Sequence, residues 1–498
     1  MPGSGAYAIG FDLGSSSVKA ALVDLSTKKV EQTTSFPATE MAVISAQSGW
    51  AEQDPELWWQ YVCQASNNLL SEAGVDKSSI KSIGLSYQMH GLVMIDKELQ
   101  SLRPAIIWSD SRAVDIGSRA FEDLGEAYCL QHLLNAPGNF TMSKLKWVQD
   151  NEPEVFNKIY KFLLPGDFIA LRMTGNANTT ISGLSEAIIW DFEEDKLAVP
   201  VLDYFGFDQS IVPDIVPTIG GQGKLTATAA NQLGLQPGIM IGYRAGDQPN
   251  NAMSLNVLEP GEVAATGGTS GVVYAIEDKP VYDPKSRVNG FAHVNHTRDQ
   301  NRIGILLCLN GAGSQYSWLK HEVAQEGMTY PEMENMAGTV PIGAEGLRIL
   351  PFGNGAERIF ENKDLGAHMI NLEFNQHSQA HVFRAALEGI AFSFVYGLDI
   401  LREMGIHISV LKVGNDNLFQ SAVFSQTIAS LTGCEIDVLE TTGAVGAALA
   451  SGVGIGEFSS IEEAMTEPNI VKQYHPEKDS NEYERAYSLW KSDLIKLL

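Results

Sequence analysis

Residues 6–24 read AYAIGFDLGSSSVKAALVD: an apolar run from Tyr7, a Gly-Ser-Ser-Ser turn at 14–17, and a second apolar run that returns with Lys19. Residues 261–277, GEVAATGGTSGVVYAIE, repeat the design roughly halfway along the chain. Two β-type runs around a small-residue turn predict a hairpin, and either one alone is explained by the ordinary need of a tight turn for Gly or Ser. Two copies, one per half, predict two domains built on one theme whose turns face each other across a cleft.

Outward from the hairpins the pattern alternates. PELWWQYVCQASNNLL (55–70) has helical periodicity, IKSIGLSYQMHGLVMID (80–96) reads as two strands, and SKLKWVQDNEPEVFNKI (143–159) reads as a helix. In the second half, PEMENMAGTV, the stretch 379–405, QSAVFSQTIASLTG and GAVGAALASGVGIG read as helices, with LKVGN (411–415) a short strand. The fold class is therefore α/β. GDQPNNAMSLNVLEPGE (246–262) is rich in turn formers, which sets the expected boundary between domains 1–253 and 254–498.

The 498 residues carry 34 Lys and Arg against 60 Asp and Glu, a net charge of -26, which repels polyanions and argues against nucleic acid or an anionic membrane surface as partner. A nucleotide is still compatible, because a few local donors and a bound cation outweigh a distant field. The four cysteines stand far apart without metal-type spacing and are expected to be reduced thiols. The apolar stretch 385–400 is interrupted by Glu388 and Asp399, so a buried helix is expected there rather than a membrane span. The start of the chain has no signal-like pattern, and a cytoplasmic enzyme is expected.

Phosphoryl transfer needs backbone donors for phosphate oxygens, a carboxylate for a magnesium shell and a second carboxylate to take the acceptor's proton. The turn at Gly14, Ser15 and Ser16 with Lys19 behind it, and the turn at Gly268, Thr269 and Ser270, supply the first requirement; Asp12 and Asp247 are the carboxylates. Asp247 sits in IGYRAGDQPNNAM, after a strand and within an expected polar turn. The G-x-x-x-x-G-K-[ST] phosphate loop is absent, which excludes that class of NTPase.

Several segments, in order, resemble the FGGY carbohydrate kinases of the actin and heat-shock chaperone ATPase superfamily: FDLGSSSVK, GWAEQDPELWW, YQMHG, WSDSR, GDQ, GGTSGV and ALEGIAF. The resemblance implies two actin-like (ribonuclease H-like) ATPase domains with a cleft between them, and Mg2+ and ATP as cofactors. It also implies phosphorylation of a small-molecule sugar, with a ketopentose of the xylulose type ahead of ribulose, a heptulose, gluconate or glycerol. Carried onto this chain, it makes Asp247 the base and Asp12 the metal-shell carboxylate. Met89, His90, Gln248, Trp108 and Asp110 become acceptor contacts, and Gly313, Gly414 and Asn415 nucleotide neighbours. A homodimer is left open. A non-catalytic nucleotide switch of actin type is the alternative from another class. The chain departs from the family at Asn139, in GAHMINLEF (366–374), and in VGNDNLFQS (413–421), where Asp416 and Asn417 stand near the positions of adjacent glycines.

Overall fold

The computed structural model describes residues 5–466 and 469–498. The first hairpin forms as expected, from β1 (Tyr7–Leu13) and β2 (Val18–Asp24), closed by a bond from the Gly14 N–H to the Ser17 carbonyl at 3.0 Å. With β3 (Val30–Phe36), β4 (Ile80–Tyr87) and β5 (Met240–Gly246) it makes a five-stranded sheet in the order β5-β4-β1-β2-β3. β1, β2 and β3 are antiparallel neighbours, whereas β4 and β5 run parallel to β1. The near-continuous burial of β1, β4 and β5 is what a sheet covered on both faces requires.

The second hairpin, β6 (Glu262–Gly267) and β7 (Gly271–Glu277), joins β8 (Asn289–Ala292), β9 (Ile303–Leu309), β10 (Val410–Gly414), β11 (Glu435–Leu439) and β12 (Ile470–Tyr474). Their order is β8-β9-β7-β6-β10-β11-β12. Without its two edge strands this sheet reads β11-β10-β6-β7-β9, with the antiparallel and parallel pairings of the first sheet repeated strand for strand.

The helices that matter for the site are α1 (Pro55–Ala73), α2 (Thr141–Asn151), α3 (Asp247–Ser254), α4 (Ala312–Trp318), α5 (Gln379–Glu403), α6 (Ala422–Thr432) and α7 (Gly443–Gly454). α3 corrects the expected turn at 246–262: its first eight helical residues include Pro249, which is tolerated because first-turn N–H groups have no partner inside the helix. The boundary drawn after Met253 thus falls inside a helix. The single helix expected over 143–159 is two, broken at Pro153.

α7 comes from the second half of the chain but lies on the first sheet, and glycines explain how. A Cβ on Gly10 of β1 would stand 1.8 Å from the Ala444 carbonyl oxygen, and one on Gly84 of β4 would stand 1.9 Å from that of Ala447. The bare backbone of neighbouring strands makes a groove into which a helix of Gly and Ala sinks to van der Waals contact. This seating delivers the first turn of α7 to the end of β1. There the Asn250 side chain of α3 donates to the Gly443 carbonyl at 3.0 Å.

Candidate active site

Asp12, one residue from the end of β1, is held by the Ser86 hydroxyl of β4, which donates to its Oδ1 at 2.8 Å. Burial lifts its carboxyl above the usual range, with Ser86 and Lys19 offsetting part of the rise. Asp247 is the first residue of α3. Burial pushes its carboxyl up to about 7 and the negative charge of Asp12 adds to the rise, while Gln248 favours the charged form. Two partly desolvated carboxylates, the charge of one raising the other, make a site that gains from a cation. No group of three or more His, Cys, Asp or Glu side chains is arranged to hold an ion among the described residues. Magnesium, however, takes few protein carboxylates and completes its shell with water and substrate phosphates. Asp12 and Asp247 therefore fit a magnesium ion that arrives with a nucleotide.

Where the sequence places the acceptor contacts, the chain leaves β4 through Tyr87–Gly91. Met89 is buried, and His90 adopts a left-handed backbone, φ 61°. The His90 Nδ1 lies 3.2 Å from the Glu186 carbonyl oxygen, so Nδ1 carries the proton and donates, leaving Nε2 as an acceptor. Burial, helped by the Lys144 charge, holds this imidazole down to about 3, so it stays neutral. Its ring packs edge-on against Phe140 at 4.6 Å and against Phe291 of β8 at 5.4 Å, which brings the second half of the chain to the acceptor loop. Lys144 of α2 donates to the carbonyls of His90 (2.9 Å) and Ile107 (3.0 Å), pinning YQMHG to the strand before WSDSR. Burial brings its ammonium down to about 7. Gly246, just before Asp247, has no room for a side chain: a Cβ would lie 2.5 Å from Met89 Cγ.

Not every expected acceptor contact is free to serve as one. Asp110 is buried and its carboxylate is already taken up, accepting from the Ala51 N–H at 2.6 Å and from the backbone, Nε and a terminal nitrogen of Arg112. It corrects to a residue that positions Arg112, whose guanidinium lies 3.8 Å over the Trp50 ring and pairs with Glu52 at 2.7 Å. Trp108 is 52% exposed, with no hydrogen bond or ring contact among the described residues. Gln248 donates to the Asp247 carboxylate.

In the second half, Gly268 and Thr269 of the second turn line a cavity of about 970 Å3, together with Gly313 and Tyr316 of α4 and with Asn417 and Ser421. The Gly313 and Ser314 N–H groups donate to the carbonyls of Gly268 (3.1 Å) and Thr269 (3.0 Å), and a Cβ on Gly313 would come within 2.2 Å of the Gly268 oxygen. Ser270 is not part of this wall. Nor are Gly414 and Asn415: the Asn415 N–H extends the ladder to Leu439, and its side chain donates to Glu440 at 2.7 Å. The chain turns toward the cavity only at Asn417, φ 49°, one of the two residues that stand near the family's adjacent glycines. Asp416 occupies the N-cap position of the turn Asn417–Gln420, yet its side chain makes no cap bond. In the first turn, the Ser15 carbonyl accepts from Gln53 (2.7 Å) and the Ser16 carbonyl from the Met41 N–H (2.8 Å). Lys19 is exposed on β2, and its charge offsets the burial of both Asp12 and Asp416, one acid from each half.

Glu186 and Glu357 stand in no motif and are not among the residues expected at the site. Glu186 is buried against Gly246, and burial keeps its carboxyl well above the usual range. Glu357 accepts from the Asn310 and Gly311 N–H groups at 2.9 and 2.8 Å and so fixes the entry to α4. Each contact joins residues far apart in the chain, where no local spacing could signal it.

Residues 7–254 match the N-terminal domain, and residues 263–455 the C-terminal domain, of the FGGY family of carbohydrate kinases. The chain is 29% identical over 502 residues to a xylulose kinase of Bacillus subtilis (strain 168), covering 98% of this chain and 96% of that one. A crystal structure of a "xyloylose kinase" from Brucella ovis superposes with a TM-score of 0.89 at 26% identity, covering 99% of both chains. A gluconate kinase from Lactobacillus acidophilus superposes nearly as well, TM-score 0.88 over 99% of this chain and 98% of that one, at 21% identity. That likeness shows the fold alone.

Proposed function

Because this chain belongs to the FGGY family of carbohydrate kinases, we propose that it transfers the γ-phosphoryl group of Mg-ATP to a ketopentose, D-xylulose giving D-xylulose 5-phosphate. The observation that carries the reading is Asp247, a half-buried carboxyl pushed up to about 7, with Asp12 close enough for its charge to add to the rise, at the start of a helix that both sheets contact. A base titrating near neutral pH combines a useful ionised fraction with real proton affinity. Its Oδ accepts the proton of the acceptor hydroxyl as the O–P bond forms, the β–γ bridging P–O bond breaks, and ADP leaves with that electron pair. The magnesium ion, held by Asp12 with the nucleotide, would neutralise charge on the phosphate oxygens.

Residues 1–253 then carry the acceptor and residues 254–498 the nucleotide. The neutral His90, with Nε2 free to accept, suits a hydroxyl donor such as a sugar. Fold alone does not choose the acceptor, since gluconate and glycerol kinases share it. The preference for xylulose rests on relatives 26–29% identical over most of the chain. A cytoplasmic setting suits an ATP-dependent enzyme whose four cysteines are unpaired.

A panel of pentoses, heptuloses, aldonates and polyols in a coupled ADP-release assay tests the reading. The highest kcat/KM is expected for D-xylulose. Release of ADP that no sugar accelerates would point instead to a nucleotide switch.

A further inference from the structure

Arg358 opens the short turn Arg358–Phe360 that follows Glu357. Its terminal nitrogen NH1 is buried without a hydrogen-bond partner, and its guanidinium makes no ion pair among the described residues. The other arginines with buried, unpartnered nitrogens differ: Arg112, Arg172, Arg244 and Arg302 each hold a carboxylate. The acid next to it in sequence does not neutralise it, because the Glu357 carboxylate accepts from the Asn310 and Gly311 N–H groups. A cation withdrawn from water without a counter-charge is costly, so it is retained where an anion completes the site.

Its surroundings identify that anion. Arg358 lies near enough to His90 and to Cys308 of β9 for its charge to act on both, and Cys308 in turn senses Asp247. Through Glu357 the same segment is fastened to Gly311, two residues before the Gly313 N–H that bonds the second phosphate turn. Arg358 is thus tied through Glu357 to the phosphate turn, and it lies within electrostatic reach of the acceptor loop. We propose that Arg358 contacts the phosphoryl group in transit and on the newly formed sugar phosphate, offsetting the charge that two nearby carboxylates would otherwise repel. This rests on the kinase reading above. A planar guanidinium with several donors suits equatorial phosphoryl oxygens better than a point charge does.

The test compares wild type with Arg358→Gln and Arg358→Lys, using whichever sugar of the acceptor panel the wild type phosphorylates. For Arg358→Gln, kcat is expected to fall at least ~10²-fold, as when a transition-state donor is removed. Affinity for the phosphorylated product should drop about tenfold or more while that for the unphosphorylated sugar changes little. Arg358→Lys should recover part of kcat. A Gln variant with wild-type melting and kcat within about threefold overturns the proposal. So does equal weakening of sugar and sugar phosphate, which would make Arg358 an acceptor contact. Should the Gln variant fail to fold, the Lys variant is read by the same product-against-sugar split. An arm independent of the acceptor compares ADP with and without inorganic phosphate: the added phosphate is expected to raise the melting temperature of wild type further, that of Arg358→Lys less, and that of Arg358→Gln not at all. Equal stabilisation of all three sinks the proposal even if xylulose proves not to be the substrate.

Discussion

The two halves of this molecule run the same five strands in the same order, and they differ where chemistry is done. Asp12 stands two residues before the turn glycine of the first hairpin; Thr266 stands there in the second. Asp247 begins the helix after β5, whereas Gly443 begins the helix after β11. The loop after β4 carries His90 with φ 61°, and the loop after β10 carries Asn417 with φ 49°. At matched positions one half thus carries two acids, while the other carries a hydroxyl and a bare backbone. The repeated strand order keeps the geometry of the two halves alike and leaves their difference to charge, which is what the proposed division between acceptor and nucleotide rests on.

The sharpest way to break this asymmetry is to remove the base. Asp247→Asn should lower turnover at least ~10²-fold. It should also raise stability at alkaline pH, by a sign that linkage fixes. With its folded pKa raised to about 7 from 3.8, the native state binds the extra proton between those values, so the ionised carboxylate costs stability as pH climbs through that window. Thermal melts should therefore show the variant gaining on wild type at pH 8 and little at pH 4. Near-native turnover would remove Asp247 from the mechanism.

A second test unseats α7. Gly84→Ala drives a Cβ into the Ala447 carbonyl, and overpacking of this kind costs about 1–3 kcal/mol or more, which urea denaturation would read. Turnover should fall too, because the first turn of α7 lies against Asp12, whose Oδ2 is only 2.9 Å from where a Gly443 Cβ would be. Unchanged stability would mean that the glycine groove does not hold the helix.

The wild-type pH profile sharpens the comparison with a milder perturbation. kcat/KM is expected to rise with pH through about 7, losing about tenfold per pH unit well below it, as the Asp247 carboxylate of the free enzyme forms. A plateau extending down to pH 5 would contradict the environment described for this acid.

The smallest effects should come from the two equivalent loops. His90→Asn is expected to raise the acceptor KM severalfold and leave that of ATP alone; Asn417→Gly should do the reverse, since a glycine accepts φ 49° without strain and only the side-chain contact with the cavity is lost. If both variants moved the same KM, the division of labour between the halves would be wrong.

Local residue order determined a good deal: both hairpins, the α/β alternation, the absence of a P-loop, and the motifs around Asp12, His90 and Asp247 are all short-range patterns. Short-range reading also misjudged residues whose role depends on what meets them. Asp247 read as part of a turn because a Pro and two Asn follow, although Pro249 sits in the first turn of a helix, where it does no harm. Asp110 read as an acceptor contact until Arg112 and the Ala51 amide filled its oxygens. What only the tertiary structure decided is the electrostatics. Folding brings Asp12 within electrostatic reach of Asp247, leaves Arg358 without a counter-ion among the described residues, and seats α7 on Gly10 and Gly84, all between residues tens to hundreds of positions apart. The cost of a charge depends on the water and partners removed from around it, and the order of residues along a chain does not specify those until the chain has folded.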